Sequence, residues 1–145
     1  MKRLPHFTVI FSLLIFGACN SDDNTVPSSE VCDFMVEISA SEYEAATTSN
    51  YTIVDAQINQ DCLTIEVSSS GCDGESWVVQ LFDSGAIAES FPEQRFIALD
   101  LTNEEECDAV ISRTYSFELT LLRISESGEI ILNLNGWDEG ISYVY

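Results

Sequence analysis

Hydrophobic and polar residues alternate along much of the chain after residue 32, and this pattern predicts β-strands. The alternation is clearest in Tyr115–Leu121, Ile130–Leu134 and Ile141–Tyr145, where every second residue is apolar. A period of two gives a strand one buried face and one solvated face. Short segments rich in β-branched and aromatic residues recur between clusters of turn residues. The predicted strands are Phe34–Ser39, Tyr51–Ile58, Cys62–Ser68, Ser76–Phe82, Arg95–Leu101, Tyr115–Ile124, Glu129–Asn135 and Gly140–Tyr145.

Polar connections and two helix candidates complete this pattern. Residues 59–61, 125–128 and 136–139 have the composition of hairpin turns. Ser41–Ala46 is one candidate for a short helix. Residues 103–111 are the other, because Asn103 can cap the N-terminus of a helix and acidic residues follow in its first turn. About eight strands with such short helices predict an all-β domain, an antiparallel β-sandwich of the Ig-like or a related kind, or a barrel.

The N-terminal segment has a different pattern, which predicts a signal peptide. Met1-Lys2-Arg3 is basic, and the apolar run 7–16 precedes the small residues Gly17 and Ala18. A membrane-spanning helix needs about 20 apolar residues, so this run is too short to be one. Residues 20–31 are polar and contain Pro27, as in a flexible tether. The predicted organisation is therefore a signal peptide over 1–18, a lipidated Cys and tether over 19–31 and a β-domain over 32–145.

The sequence Gly17-Ala18-Cys19 resembles the lipobox of bacterial lipoproteins, with Phe16 where that family usually has Leu. The resemblance implies a diacylglycerol on the Cys19 thiol, cleavage before Cys19 and acylation of the new N-terminus. Ser21-Asp22-Asp23 resembles the acidic signal that sends some lipoproteins to the cell surface. Together these resemblances imply lipid anchoring in the outer membrane, facing the exterior. The alternatives are an ordinary signal peptide with a chance Cys and a merely solvated tether.

Charge excludes several classes of function. Without residues 1–18 the chain has no Lys and no His, and its three arginines stand against 25 acidic residues, a formal charge of −22. Nucleic acid binding needs cations that replace phosphate counterions, so we expect none. Catalytic arrangements that contain His are excluded as well. Carboxylate catalysis, as in glycosidases, stays open, although no local pattern indicates it.

Four cysteines follow Cys19, and an even number in an exported chain indicates disulfide bonds. Of the three connectivities, we favour Cys32–Cys62 with Cys72–Cys107. Cys62 alternates with the apolar face of its strand, where an N-terminal segment could be attached, and Cys72 and Cys107 both lie in polar, loop-like stretches. Zinc is the weaker interpretation, since the chain has no C-x-x-C pair and no His in this region.

Residues 70–74, 103–109 and 116–122 resemble an uncharacterised group of secreted bacterial β-domain proteins. Its members combine a Gly-Cys loop, a later acidic-Cys-x-Ala segment and a Phe-acid-Leu strand. The resemblance spans about residues 61–145 and supports the Cys72–Cys107 bond. It implies no activity.

Trp137, with Asp138 and Glu139 beside it in a predicted turn, is the candidate ligand-binding group. An aromatic face can stack on a sugar ring while polar neighbours bind its hydroxyls. The alternative is a Trp that folds back over the end of the sheet. Trp77 starts an apolar face with Val79 and is predicted to lie in the core.

Calcium is the candidate metal, because its ligands are oxygens and acidic loops recur. None of the loops has the regular spacing of a calcium-binding loop, so a solvated charge run is the alternative and we expect no cofactor. The loops contain Asp73 and Glu75, Glu104, Glu105, Glu106 and Asp108, and Asp138 and Glu139. The three arginines could bind an anionic ligand, but ion pairing is expected with so many carboxylates: Arg95, Arg113 and Arg123.

These observations favour a lipid-anchored, non-catalytic binding or accessory module for a protein or glycan partner, held to the membrane through Cys19. Two other classes stay open. One is a small carboxylate-based enzyme such as a glycan hydrolase, and the other is an envelope structural subunit or an inhibitor.

Overall fold

Two β-sheets pack face to face in a computed structural model that describes residues 32–145. The predicted signal peptide, Cys19 and the tether lie outside these residues. Nine strands and two short helical segments follow one another along the chain. They are β1 (Phe34–Met35), β2 (Glu37–Ile38), α1 (Ala40–Ala45), β3 (Thr52–Asn59), β4 (Cys62–Gly71), β5 (Val78–Ala88), β6 (Glu93–Thr102), β7 (Ala109–Glu118), a 3₁₀ helix (Thr120–Leu122), β8 (Glu129–Leu134) and β9 (Ile141–Val144).

The four-stranded sheet has the order β1-β7-β4-β3, and the five-stranded sheet has the order β2-β5-β6-β8-β9. This arrangement confirms the all-β, sandwich-like fold class. The pairing is more mixed than expected, because β1–β7, β2–β5 and β6–β8 are parallel. Parallel neighbours join segments that are distant in sequence, so the alternation within each strand could not reveal them.

The core lies between the two sheets and is built from the inward residues of the long strands. Leu63, Ile65 and Val67 of β4 are all fully buried, as their alternation predicts. The facing sheet contributes residues such as Leu99 of β6 and Leu132 of β8. Among the described residues, no helix is long and apolar enough to cross a bilayer.

The strand predicted over 115–124 is wrong in its position. Residues 109–118 form β7, and the chain then turns through the 3₁₀ helix over 120–122. This turn buries both Leu119 and Leu122, so the apolar alternation there reflects a turn packed on the core. The connection over 125–128 is consequently no hairpin, since β7 and β8 belong to different sheets. The turns over 59–61 and 136–139 do join antiparallel neighbours, β3–β4 and β8–β9.

The helix predicted over 103–111 is absent, whereas α1 confirms the candidate at Ser41–Ala46 and begins after the capping residue Ser39. The Asn103 side chain accepts the Glu105 N–H at 2.9 Å and donates to the Ser70 carbonyl at 2.7 Å. These bonds form a turn tied to β4 in place of a helix cap. Residues from Ala109 onward then pair with β4 in β7.

Disulfide bonds join Cys32 to Cys62 and Cys72 to Cys107, the two pairs that the sequence favours. The first attaches the start of the described chain to the start of β4. The second links the β4–β5 connection to the β6–β7 connection. Both loops of sequence are long, so each bond strongly restricts the unfolded chain.

Candidate functional site

Trp137 lies in the turn between β8 and β9, with its ring half-buried against the core. The backbone N–H of Trp137 donates to the Leu134 carbonyl at 3.0 Å, which fixes the turn. The residue therefore folds back over the sheet, as the alternative interpretation expected. Its remaining surface lines a depression of about 300 Å³ together with Ile53, Asp138 and Glu139. The three predicted ligand-binding residues thus share one surface.

A larger depression, about 450 Å³, lies at the other end of the β8–β9 hairpin. Phe91, in the β5–β6 turn, is fully exposed there, and Val144 is exposed beside it. Glu93, Glu126 and Glu129 also line the depression. Sequence reasoning missed this surface, because its residues come from two separate connections and the last strand.

The buried acid–base contact is an ion pair between Arg95 and Asp83. Arg95 donates through Nη2 and Nε to the two Asp83 oxygens, at 2.6 and 3.0 Å. Both side chains are almost fully excluded from solvent. Asp83 also accepts the Gly85 N–H at 2.7 Å. The prediction that the arginines are engaged by the protein itself therefore holds for Arg95.

Arg123 belongs to a cluster that links the two sheets. Its Nη2 contacts the Asp61 carboxylate at 2.5 Å, its Nε donates to the Tyr143 hydroxyl at 3.0 Å, and its guanidinium lies 5.2 Å from the Tyr145 ring centre. The Tyr143 hydroxyl in turn donates to Asp61 at 2.6 Å. The hydrogen bond from Tyr143, with help from Arg123, lowers the pKa of Asp61. Burial and the neighbouring Asp61 raise the pKa of Tyr143 to about 12.

Glu105 is the most highly engaged carboxylate of the acidic loops. It accepts backbone N–H groups of Cys72 at 2.6 Å, Asp73 at 3.3 Å and Gly74 at 3.1 Å, and the Ser76 hydroxyl at 2.8 Å. Partial desolvation raises the pKa of Glu105, but the bonds from Ser76 and the three amides outweigh it and bring the pKa to about 2.

Gly71 makes this close approach of Glu105 possible. A Cβ at Gly71 would lie 2.5 Å from Glu105 Oε2 and 3.2 Å from the Nε1 atom of Trp77. Trp77 is buried in the core, as predicted, with Val79 and Leu81 on the same face. From the sequence, Glu105 belongs to a run of solvated acidic residues. Its neighbours Glu104 and Glu106 are identical, so the sequence does not indicate which of the three carboxylates accepts the backbone amides of Cys72–Gly74.

Arg113 contacts the same loop, donating to the Asp73 carbonyl at 2.8 Å. Within the described part of the chain, no three acidic or Cys side chains are grouped to hold a metal ion. Glu105 accepts hydrogen bonds from backbone amides of its loop. Such N–H groups carry partial positive charge and favour an anion over a cation.

No family model matches the sequence, and no curated protein matches it. Two solved structures share the fold. One is a protein of unknown function DUF1344 from Bacteroides vulgatus, with a TM-score of 0.51, 15% identity, and coverage of 77% of this chain and 55% of that chain. The other is a putative toxin related protein from Parabacteroides distasonis, with a TM-score of 0.51, 14% identity, and coverage of 77% and 61%. The chain thus spans less than two thirds of either structure, and the likeness concerns the fold alone.

Proposed function

We propose that this protein is a surface-anchored bacterial lipoprotein that acts as a non-catalytic binding or accessory module for a protein or glycan partner. The observation that carries the binding role is the depression around Trp137, where an aromatic ring, an aliphatic residue and two exposed carboxylates share one surface. Such a surface offers stacking and hydroxyl-binding groups to a sugar. The lipobox-like Gly17-Ala18-Cys19 supports the anchor.

Several other charged groups are occupied by contacts within the domain, and this supports a binding role over a catalytic one. Arg95 and Arg123 pair with carboxylates, and Glu105 is held by four donors. These groups stabilise the domain, whereas Asp138 and Glu139 of the Trp137 depression are exposed and take part in no side-chain hydrogen bond or ion pair among the described residues. A shallow surface of this kind suits recognition, in which complementarity matters more than enclosure.

The test of the binding role is glycan-array binding by the protein and by Trp137→Ala. We expect binding to fall by about tenfold or more on loss of the ring. Stacking of a nucleobase on an aromatic ring contributes about 1–3 kcal/mol, and we expect a sugar ring stacked on Trp137 to contribute at the lower end of that range. Trp137→Phe is the matched control and should retain part of the binding. Equal binding by the protein and Trp137→Ala would contradict the proposal.

The anchor is tested separately by intact-mass measurement of the membrane protein and of Cys19→Ala. A chain that begins at an acylated Cys19, together with loss of membrane attachment in the variant, is expected. Proteolysis of whole cells then shows whether the domain faces outward. An unmodified leader would contradict the lipoprotein assignment while leaving the binding role to its own test.

A glycan hydrolase is the second candidate, and the depression beside Phe91 is the observation that favours it. Glu93, Glu126 and Glu129 line this surface, and glycosidases act through two carboxylates. Ser127 donates to Glu93 at 3.0 Å and Ser142 donates to Glu129 at 2.6 Å. Release of reducing ends from a polysaccharide panel, abolished by Glu126→Gln or Glu129→Gln, would favour this candidate over the binding module.

A further inference from the structure

Strand β7 has a neighbour on each side, but the two-residue β1 leaves most of its outer side free among the described residues. Its ten residues, Ala109–Glu118, pair with β4 along their whole length. On the opposite side, β1 pairs with Phe117 and Glu118 only. The Asp33 carboxylate then accepts the Ser116 N–H at 3.0 Å. Among the described residues, β7 has no strand partner on this side before Ser116.

Backbone groups of alternate residues point out of this edge. The Ser116 N–H and the Glu118 carbonyl face away from β4, the latter accepting the Val36 N–H at 3.2 Å. Since successive residues of a strand direct their backbone groups to opposite sides, those of Val110, Ser112 and Thr114 face outward as well. Unpaired N–H and C=O groups in a row form a template for another strand.

The Cys32–Cys62 bond places Cys32 itself away from this edge. Neighbouring strands lie about 4.8 Å apart, so a residue in line with β1 would be about 10 Å from β4. The Cα atoms of Cys32 and Cys62 are 5.7 Å apart, and Cys62 is the first residue of β4. The chain at Cys32 therefore lies over β7 on the outer face of the sheet, and does not extend β1 along the edge.

The other edges carry features that discourage strand addition. β3 has an irregular register between Ile53 and Asp55, and β9 has four residues. The outer side of β5 pairs with β2 and then accepts the Ser39 N–H, with α1 packed beside it. Bulges, short strands and covering elements are the usual protection of sheet edges. The β7 edge over 110–114 has regular register with β4 and none of these features among the described residues.

We propose that the free edge of β7, residues 110–114, binds an extended basic segment of a partner protein by β-strand addition. Charge selects this partner, because Glu104, Glu106 and Asp108 are exposed just before β7 and the chain without residues 1–18 has a formal charge of −22. A second acidic copy would be repelled. Val110 is 79% exposed and offers an apolar contact to the added strand. This surface is distinct from the Trp137 depression, so the two proposals fail independently.

The experiment measures binding of a short synthetic peptide in which lysine alternates with valine and threonine, using the full-length chain and amide hydrogen exchange. We expect the peptide to slow exchange at Ser112 and Thr114 by about tenfold or more, since new hydrogen bonds protect both amides. The same peptide N-methylated at every second amide should not bind, because its side chains are kept while its ladder donors are lost. Replacing its lysines by glutamates should abolish binding as well.

Thr114→Pro and Thr114→Val are the matched protein variants. Proline removes only an outward N–H on an edge, which a fold tolerates, and should weaken peptide binding by about tenfold. Valine keeps the donor and should bind the peptide normally, as should Trp137→Ala. Circular dichroism checks that each variant is folded.

Three results would overturn the proposal. The first is equal binding of the N-methylated and unmodified peptides. The second is protection of Ser112 and Thr114 in the free full-length chain, which would mean that residues before Cys32 already cover the edge. The third is protection that rises with protein concentration without peptide, which would indicate a second copy as the occupant.

Discussion

The Tyr143 hydroxyl donates a 2.6 Å hydrogen bond to the Asp61 carboxylate, and this contact joins the two sheets of the sandwich. Tyr143 lies in β9, whereas Asp61 lies in the turn between β3 and β4. The ring of Tyr143 is fully buried, so its hydroxyl depends on Asp61 and Arg123 for partners. Removing a single side-chain group from this contact should therefore lower the free energy of unfolding of the domain.

Tyr143→Phe removes the hydroxyl and keeps the buried ring. We expect the free energy of unfolding to fall by about 1.5 kcal/mol, the low end of the range for a hydrogen bond to a charged acceptor, because the Asp61 side chain is 41% exposed. Urea denaturation of the purified protein measures this change. Tyr43→Phe is the control, because no hydrogen bond of the Tyr43 hydroxyl is present among the described residues, and it should shift the midpoint little. Equal effects of the two variants would argue against the role of Asp61.

Arg95→Met leaves the Asp83 carboxylate, 0% exposed, without its cation. Breaking a buried ion pair on one side costs about 3–5 kcal/mol, and we expect a loss of that size in the unfolding free energy. The double variant Arg95→Met with Asp83→Asn removes both charges and should recover part of the stability. A double variant that is no more stable than Arg95→Met alone would show that packing, and not the unpaired charge, dominates.

Glu105 should make stability depend on pH in the acidic range. Its pKa falls from 4.5 to about 2 on folding, so the folded protein favours the ionised form. Its contribution is fully present above pH 4.5 and is lost as the pH falls toward 2. The difference in unfolding free energy between the protein and Glu105→Gln should therefore shrink over that range. A difference that stays constant as the pH falls from above 4.5 to about 2 would contradict this assignment.

Gly71→Ala tests the same contact from the other side. The added Cβ would approach Glu105 Oε2 to 2.5 Å and force the carboxylate away from its amides. We expect a loss of stability, because this shift weakens the hydrogen bonds that the carboxylate accepts from Cys72, Gly74 and Ser76. Gly128→Ala is the matched control, since a Cβ there meets nothing within 4 Å. In the Glu105→Gln background, the effect of Gly71→Ala should be smaller, which thermal melting of the four proteins can show.

Removing the Cys72–Cys107 bond by a double Ala substitution should destabilise the protein without changing its fold. The bond closes a sequence separation of 35 residues. Its loss is expected to cost about 3–4 kcal/mol on the chain-entropy account. The Cys32–Cys62 double variant, with a separation of 30, should lose a similar amount. Circular dichroism checks the fold and urea denaturation measures the loss.

Much of the fold follows from the local pattern of apolar and polar residues, and the errors of the sequence-based prediction have local causes as well. Leu63, Ile65 and Val67 alternate in the sequence and share the buried face of β4. The alternation after Glu118 predicts a continuation of the strand, yet Leu119 and Leu122 are buried by a 3₁₀ turn. A period-two pattern cannot distinguish these two ways of burying every second or third apolar residue over so short a span.

The candidate site divides in the same way. Trp137 could be placed in a turn from its Gly, Asp and Glu neighbours, but its half-buried ring packs on a core to which both sheets contribute. The sequence did not indicate a role for Phe91, since the surface around it forms only where the segment before β8 and the end of β9 come next to the β5–β6 turn. Contacts between distant segments carry no local signal, so such surfaces emerge from the fold.

The sequence by itself determined most of the strands and the apolar face of each, and it favoured the cysteine pairs that the structure contains, because side-chain alternation and polarity act over neighbouring residues. Tertiary structure decided that Glu105 meets the amides of Cys72–Gly74 and that β6 and β8 run parallel. It also decided that, within residues 32–145, β1 pairs with the last two residues of β7 only. Each of these features arises where segments that are far apart in the chain come together. Several partners there have the same composition, and hydrogen-bond geometry and the exclusion of water decide which of them pair.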